Sequence, residues 1–111
     1  RPVYDHTNSA GVKVIRYNMT VNCSAGRTID IEQHVHEYDN WGSDDHITTS
    51  DRNRHFSTTD TVTMWLDYPL PDTEIGDESM YQHVSFRVTP DDLSQSGWTA
   101  WEDSPIQVFS K

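Results

Sequence analysis

Cysteine is almost missing from this 111-residue chain: Cys23 stands alone, so no internal disulfide can staple the fold. A small disulfide-built secreted scaffold is thereby excluded. Lysine is nearly as scarce, with Lys13 and Lys111 only, and eighteen acidic residues against eight basic ones leave a net charge of −10. A domain of this sign repels phosphate backbones and offers no basic cluster to an anionic membrane surface. Neither a nucleic-acid partner nor membrane insertion is expected, and no apolar run approaches the ~20 residues of a spanning helix. Gly-rich phosphate loops and the G-x-S-x-G nucleophile elbow are missing too, so no catalytic residue is assigned. Hydrophobic residues reach only 33%, thin for a self-sufficient core. Core-poor small domains often complete their burial against a partner.

What is present is regular alternation and twelve aromatic residues. Val12 to Cys23 carries Ile15, Tyr17, Met19, Val21 and Cys23 on one parity and Arg16, Asn18, Thr20 and Asn22 on the other. Period two over such a length predicts a half-buried strand, with the Cys23 thiol turned inward as a small hydrophobe. A second run, Thr28 to Tyr38, sets Ile29, Ile31, Gln33 and Val35 against Asp30, Glu32, His34, His36 and Tyr38. The short turn around Gly26 predicts that these two runs pair as an antiparallel hairpin. Further strands are expected at 61–68, 80–88 and 106–109, with room for others at 2–4 and around Ile47 or Phe56. Between the second and third runs the polar stretch 39–60 reads as a long loop, a length that tends to be functional. Thr89, Pro90 and Asp92 form an N-terminal capping pattern, which predicts one short helical turn near 90–96. The class that follows is all-β, an antiparallel β-sandwich or jelly roll, with 1–111 as one domain. Since the chain opens on Arg1 rather than methionine, we read it as a piece of a larger protein.

Residues 32–46, EQHVHEYDNWGSDDH, concentrate three histidines, five carboxylates and a tryptophan. In a strand, His34 and His36 project from one face and can converge on an ion such as Zn²⁺, with His46, His55, Asp44 or Asp45 folding back from the loop. The loop carboxylates Asp39, Asp44 and Asp45 would also suit Ca²⁺, which takes oxygen ligands. The opposite parity of Ile29, Ile31 and Val35 turns this His/acid ladder towards solvent or a second subunit, unless another segment covers it. No cofactor is required by this reading; calcium or adventitious zinc are the ions it allows.

The tryptophans are the stronger lead. Trp41 lies in the long loop, Trp65 sits on the polar parity of its strand, and Trp98 and Trp101 flank the last turn, where they can cap the open end of the sandwich. Tryptophan dominates contact hot spots and the platforms on which sugars stack. With His34 and His36, these four are the expected partner-binding residues. The function class that fits is a non-enzymatic recognition or assembly module on the outside of a virion or cell: a capsid protruding domain, an adhesin or a carbohydrate-binding module. Its expected partners are further copies of itself, as a dimer or trimer, and a glycan or cell-surface receptor. Two alternatives stand beside it. One is a small metal-dependent β protein built on His34-x-His36. The other is a secreted glycoprotein domain, for which Asn18-Met-Thr20 and Asn22-Cys-Ser24 are the acceptor sequons.

Overall fold

The computed structural model describes residues 1–39, 42–71, 76–92, 97–99 and 101–110. The chain runs β1 (Val3–Thr7), β2 (Lys13–Cys23), β3 (Arg27–Glu37), β4 (Asp45–Phe56), β5 (Asp60–Pro69), β6 (Glu78–Pro90), β7 (Glu102–Asp103) and β8 (Gln107–Phe109). Three strands form one sheet in the order β1-β2-β5, here called sheet A. The other five form sheet B, β4-β3-β6-β7, with β8 also on β6. Every pairing is antiparallel. The protein is an all-β sandwich, as the alternation predicts.

The alternating runs sort correctly between faces. Ile15, Tyr17, Met19 and Cys23 of β2 are buried, as are Ile29, Ile31, Gln33 and Val35 of β3. The predicted hairpin between β2 and β3 does not form. β2 pairs with β1 and β5, β3 pairs with β4 and β6, and the turn at Ser24–Gly26 carries the chain from one sheet to the other. Gly26 takes the left-handed φ of 75° there, and its N–H donates to the Phe56 carbonyl at 2.7 Å. Alternation specifies which side chains face inward but not which strand lies alongside.

Most of the expected long loop is also strand. β4 runs antiparallel to β3 from Phe56 to Asp45 as the outer edge of sheet B. Its pattern is almost wholly exposed or half-buried, so it lacks the apolar alternation that marks a strand in sequence. Arg52 of β4 lies opposite the buried Ile31, on the inward face, and its guanidinium donates to the Trp65 carbonyl of sheet A at 2.9 Å. The capping pattern at Thr89–Pro90 does not start a helix, because both residues belong to β6. Asp91 and Asp92 turn away, with the Asp91 N–H on the Gly26 carbonyl at 2.9 Å, and 93–96 lie outside the described residues.

The core is two apolar clusters rather than one. Ile15, Tyr17, Val35, Leu70, Met80 and Phe109 fill one end, and Met19, Cys23, Ile29, Ile31 and Phe56 the other. Between them lie the buried amides of Gln33 and Gln82. Gln33 Nε2 donates to the Tyr17 carbonyl at 3.1 Å and to Gln82 Oε1, while Gln82 Nε2 donates to the Asn18 carbonyl at 2.7 Å. Two side chains from sheet B thus hydrogen-bond the backbone of sheet A and hold the two layers in one alignment.

Candidate metal centre

β3 projects His34 and His36 from the outer face of sheet B. Their rings stack at 6.2 Å between centroids with 15° between planes. The β3–β6 register sets His83 directly opposite His34. His83 leans towards His36, and their Nε2 atoms lie 3.1 Å apart. The register of β3 with β4 shifts between Val35 and His36, so that Val35 faces Thr48 while His36 faces His46. The extra residue, Ile47, packs against the core cluster, and His46 is left on the outer face. Its ring is 5.2 Å from that of His34 and 5.4 Å from that of His36. A bulge of this kind re-aims a side chain that plain alternation would send the other way.

Two aromatic residues wall the cluster. Tyr81 stacks on His36 at 5.5 Å, and its hydroxyl donates to Asp44. The other Asp44 oxygen accepts the Asp39 N–H at 3.0 Å, so this carboxylate ties the β3–β4 connection to the cluster. On the opposite side Trp101 stacks on His83 at 4.5 Å and meets His34 edge-on at 4.9 Å. Trp101 is delivered by a segment clamped along β6: Thr99 N–H donates to the Phe86 carbonyl at 2.8 Å, Phe86 N–H to Thr99 Oγ1 at 3.0 Å, and the Ser85 hydroxyl to the Thr99 carbonyl at 2.7 Å. The His34 and His83 side chains keep only 21% and 24% of their exposure. The ladder expected to face solvent is therefore partly covered by the chain itself.

Among the described residues, the group whose donor atoms gather for an ion is His34, His36 and His83, all within 4.8 Å of one another. Two nitrogens on one tetrahedral zinc, each at about 2.0–2.1 Å, stand roughly 3.3 Å apart. The 3.1 Å between His36 and His83 already approaches that spacing. His83 Nδ1 lies 3.3 Å from Asp103 Oδ1, the carboxylate arrangement that orients a ligating imidazole. Glu32 Oε1 accepts from His34 Nε2 at 3.0 Å, and His34 Nδ1 is 3.4 Å from the Thr49 hydroxyl. Behind His36 there is no such partner, and its Nδ1 is buried without a hydrogen bond among the described residues.

Burial lowers the pKa of His36 below the ordinary 6.5, and the His83, His46 and His34 imidazoles lower it further, against a smaller opposing pull from Asp44. The neutral form, which alone can ligate a metal, is thereby favoured. For Asp44 the Tyr81 hydrogen bond is the main cause of a pKa held below the usual carboxylate range, and Tyr81 itself is pushed up by burial and by Asp44. A stability effect follows for metal-free protein. Below pH 6.5 the unfolded chain takes up a proton at His36 that the folded chain resists, so stability falls as the pH drops through that value towards the lowered folded pKa. Urea unfolding in chelator between pH 7.5 and 5 should show this slope, and His36→Phe should flatten it.

His34 and His36 thus come together as the sequence predicts, and His46 joins from the bulged edge. His83 was not singled out, although its parity was legible: it shares the wet face of β6 with Tyr81. What was missing was the register that places it against His34. The loop carboxylates Asp39, Asp44 and Asp45 do not join the histidines as donors for an ion among the described residues. Asp44 is engaged by Tyr81 and Asp39, and Asp45 begins β4. Trp41 lies outside the described residues. Trp101 covers the histidines instead of capping the sandwich end. Trp98 is exposed under the Arg87 guanidinium at 4.7 Å, and Trp65 is 46% exposed on sheet A beside Arg16 at 4.8 Å. Asn18 and Asn22 lie on the outer face of that sheet, with Asn22 Nδ2 on the Thr61 hydroxyl at 2.7 Å. Comparison with family models, with curated proteins and with solved structures returned no match.

Proposed function

We propose that this chain is a β-sandwich that binds one divalent transition-metal ion on the outer face of sheet B, through His34, His36 and His83. The observation that carries this is the gathering of three imidazoles from two strands within 4.8 Å, one of them backed by Asp103. Nitrogen ligands suit Zn²⁺, Cu²⁺ or Ni²⁺ and disfavour Ca²⁺, which takes oxygen. Three protein ligands leave a fourth position for water, a small anion or His46, whose ring lies beside the other histidines. Tyr81 and Trp101 support the reading as walls that limit solvent at the ion and fix the ligand rings.

Calorimetric titration of chelator-treated protein with Zn²⁺ tests this. One ion per chain is expected, and His83→Ala should weaken binding at least roughly 100-fold, since removing supporting residues alone costs 10–100-fold. Circular dichroism would confirm that the variant keeps its fold. Zinc binding of unchanged affinity in His83→Ala, or none in the parent chain, would overturn the assignment.

A second reading, a surface-displayed recognition or assembly module, is favoured by Trp65, a large aromatic held 46% exposed on the polar face of sheet A. It is compatible with a metal on sheet B, because the two sites lie on opposite outer faces. Dimers or trimers are expected at high micromolar concentration; a strict monomer by light scattering counts against it.

A further inference from the structure

His46 reaches the outer face of sheet B through the register shift in the β3–β4 ladder. Between Thr48 and His46 the pairing skips Ile47, which packs on the core, so His46 and Thr49 both face outward beside His36 and His34. Strict alternation from Thr49 would instead turn residue 47 outward and residue 46 inward. The spacing of the four rings suits one tetrahedral ion. A zinc–nitrogen bond of about 2.0–2.1 Å, with roughly 1.1 Å more to the ring centre, sets tetrahedral imidazole centroids about 5.2 Å apart. Here they stand 5.2 Å apart for His34 and His46, 5.4 Å for His36 and His46, and 5.4 Å for His34 and His83. The His34–His36 and His36–His83 pairs bracket that value at 6.2 and 4.5 Å. What separates His46 from the three gathered donors is orientation. Its Nε2 lies on the Thr49 hydroxyl at 2.7 Å, and the same hydroxyl is 3.4 Å from His34 Nδ1. The His46 side chain is exposed, so its ring can turn, and water replaces the bond it gives up.

We infer that His46 is the fourth ligand, and that the ion is a clasp joining β3, β4 and β6 inside a closed shell of four imidazoles. This rests on the three-histidine reading and adds a role to it. A closed tetrahedral shell is the arrangement of a structural zinc, whereas a catalytic ion keeps an open position. The clasp acts on β4. That strand is almost wholly exposed or half-buried, and it lies on β3 as the outer edge of sheet B. Arg52 fastens its middle to the Trp65 carbonyl of sheet A, and Asp44, just before its start, is held by Tyr81 and the Asp39 N–H. A metal bond at His46 adds a hold on the first residues of the strand. Occupancy of the site thus sets how firmly the beginning of the edge strand is kept in the sheet.

Co²⁺ is the probe, because its visible bands report the number and kind of its ligands. In the chelator-treated chain loaded with Co²⁺, added azide is expected to leave the spectrum unchanged, since no position is open. In His46→Ala the ion keeps three ligands, binds at least roughly tenfold more weakly, and shifts its bands when azide is added. Hydrogen exchange of amides 45–50 should slow when Zn²⁺ loads the parent chain and should not respond in His46→Ala. The replaced side chain is exposed, and circular dichroism confirms that the variant keeps its fold. A parent spectrum that shifts with azide, Co²⁺ affinity unchanged in His46→Ala, or equal slowing of exchange in both chains overturns the clasp and leaves the three-histidine site standing. No Co²⁺ binding by the parent chain overturns both.

Discussion

Saturating zinc should raise the melting temperature of the chelator-treated chain by roughly 10 °C, and His36→Ala should remove most of that rise. Ligand present at one hundred times its dissociation constant adds about 2.7 kcal/mol to a state that alone binds it. For a domain of this size each kcal/mol moves the midpoint by about 4 °C. His36 is the variant with the largest expected effect, because its Nε2 already stands 3.1 Å from His83 and its neutral form is the favoured one. Mg²⁺ and Ca²⁺ at the same concentration should leave the midpoint unchanged, since neither replaces its oxygen shell readily with imidazole. Asp103→Asn should reduce the zinc response without abolishing it, because that carboxylate only orients His83. A shift that survives His36→Ala intact would place the ion elsewhere.

The second large effect concerns the join between the sheets. Gln33→Leu should destabilise the fold by about 2 kcal/mol, read as a lower urea midpoint at unchanged m-value. Gln33 is fully buried, and its amide is the donor for both the Tyr17 carbonyl and Gln82 Oε1. Leucine fills similar space but strands both acceptors, each at roughly 1–3 kcal/mol, while removing the Gln33 Oε1 that is buried without a hydrogen bond among the described residues and so offsetting one of them. Gln33→Leu/Gln82→Leu should lose less than the sum of the single variants, because it also removes the stranded Gln82 oxygen. Strict additivity would show that the two amides act separately.

The strands that carry apolar alternation were legible, down to which residues of β2 and β3 turn inward. Gln33 and Gln82 were legible only by position. Both stand on the apolar parity, and the sequence does not say that two polar side chains there will find backbone carbonyls on the facing sheet. β4 was missed because an edge strand needs little apolar surface, so Asp51, Arg52, Asn53 and Arg54 look the same in a loop. The false hairpin has the same origin: a tight turn at Gly26 suits a return within one sheet or a step to another. For the candidate site, His34-x-His36 was visible because both residues sit on one strand. His83 and the bulge that presents His46 depend on interstrand register, which lies in contacts between residues as far apart as 34 and 83.

Arg52 gives the outer strands of the two sheets different fates. An outer strand with free backbone groups is a template on which further copies can stack into fibrils. On β4 that stacking would crowd a guanidinium already turned inward and committed to the Trp65 carbonyl, in the company of Asp51 and Arg54. Among the described residues the outer strand β5 of sheet A carries no comparable guard, with Val62, Met64 and Leu66 on its inward parity. Edge-to-edge association is therefore expected at β5 rather than at β4.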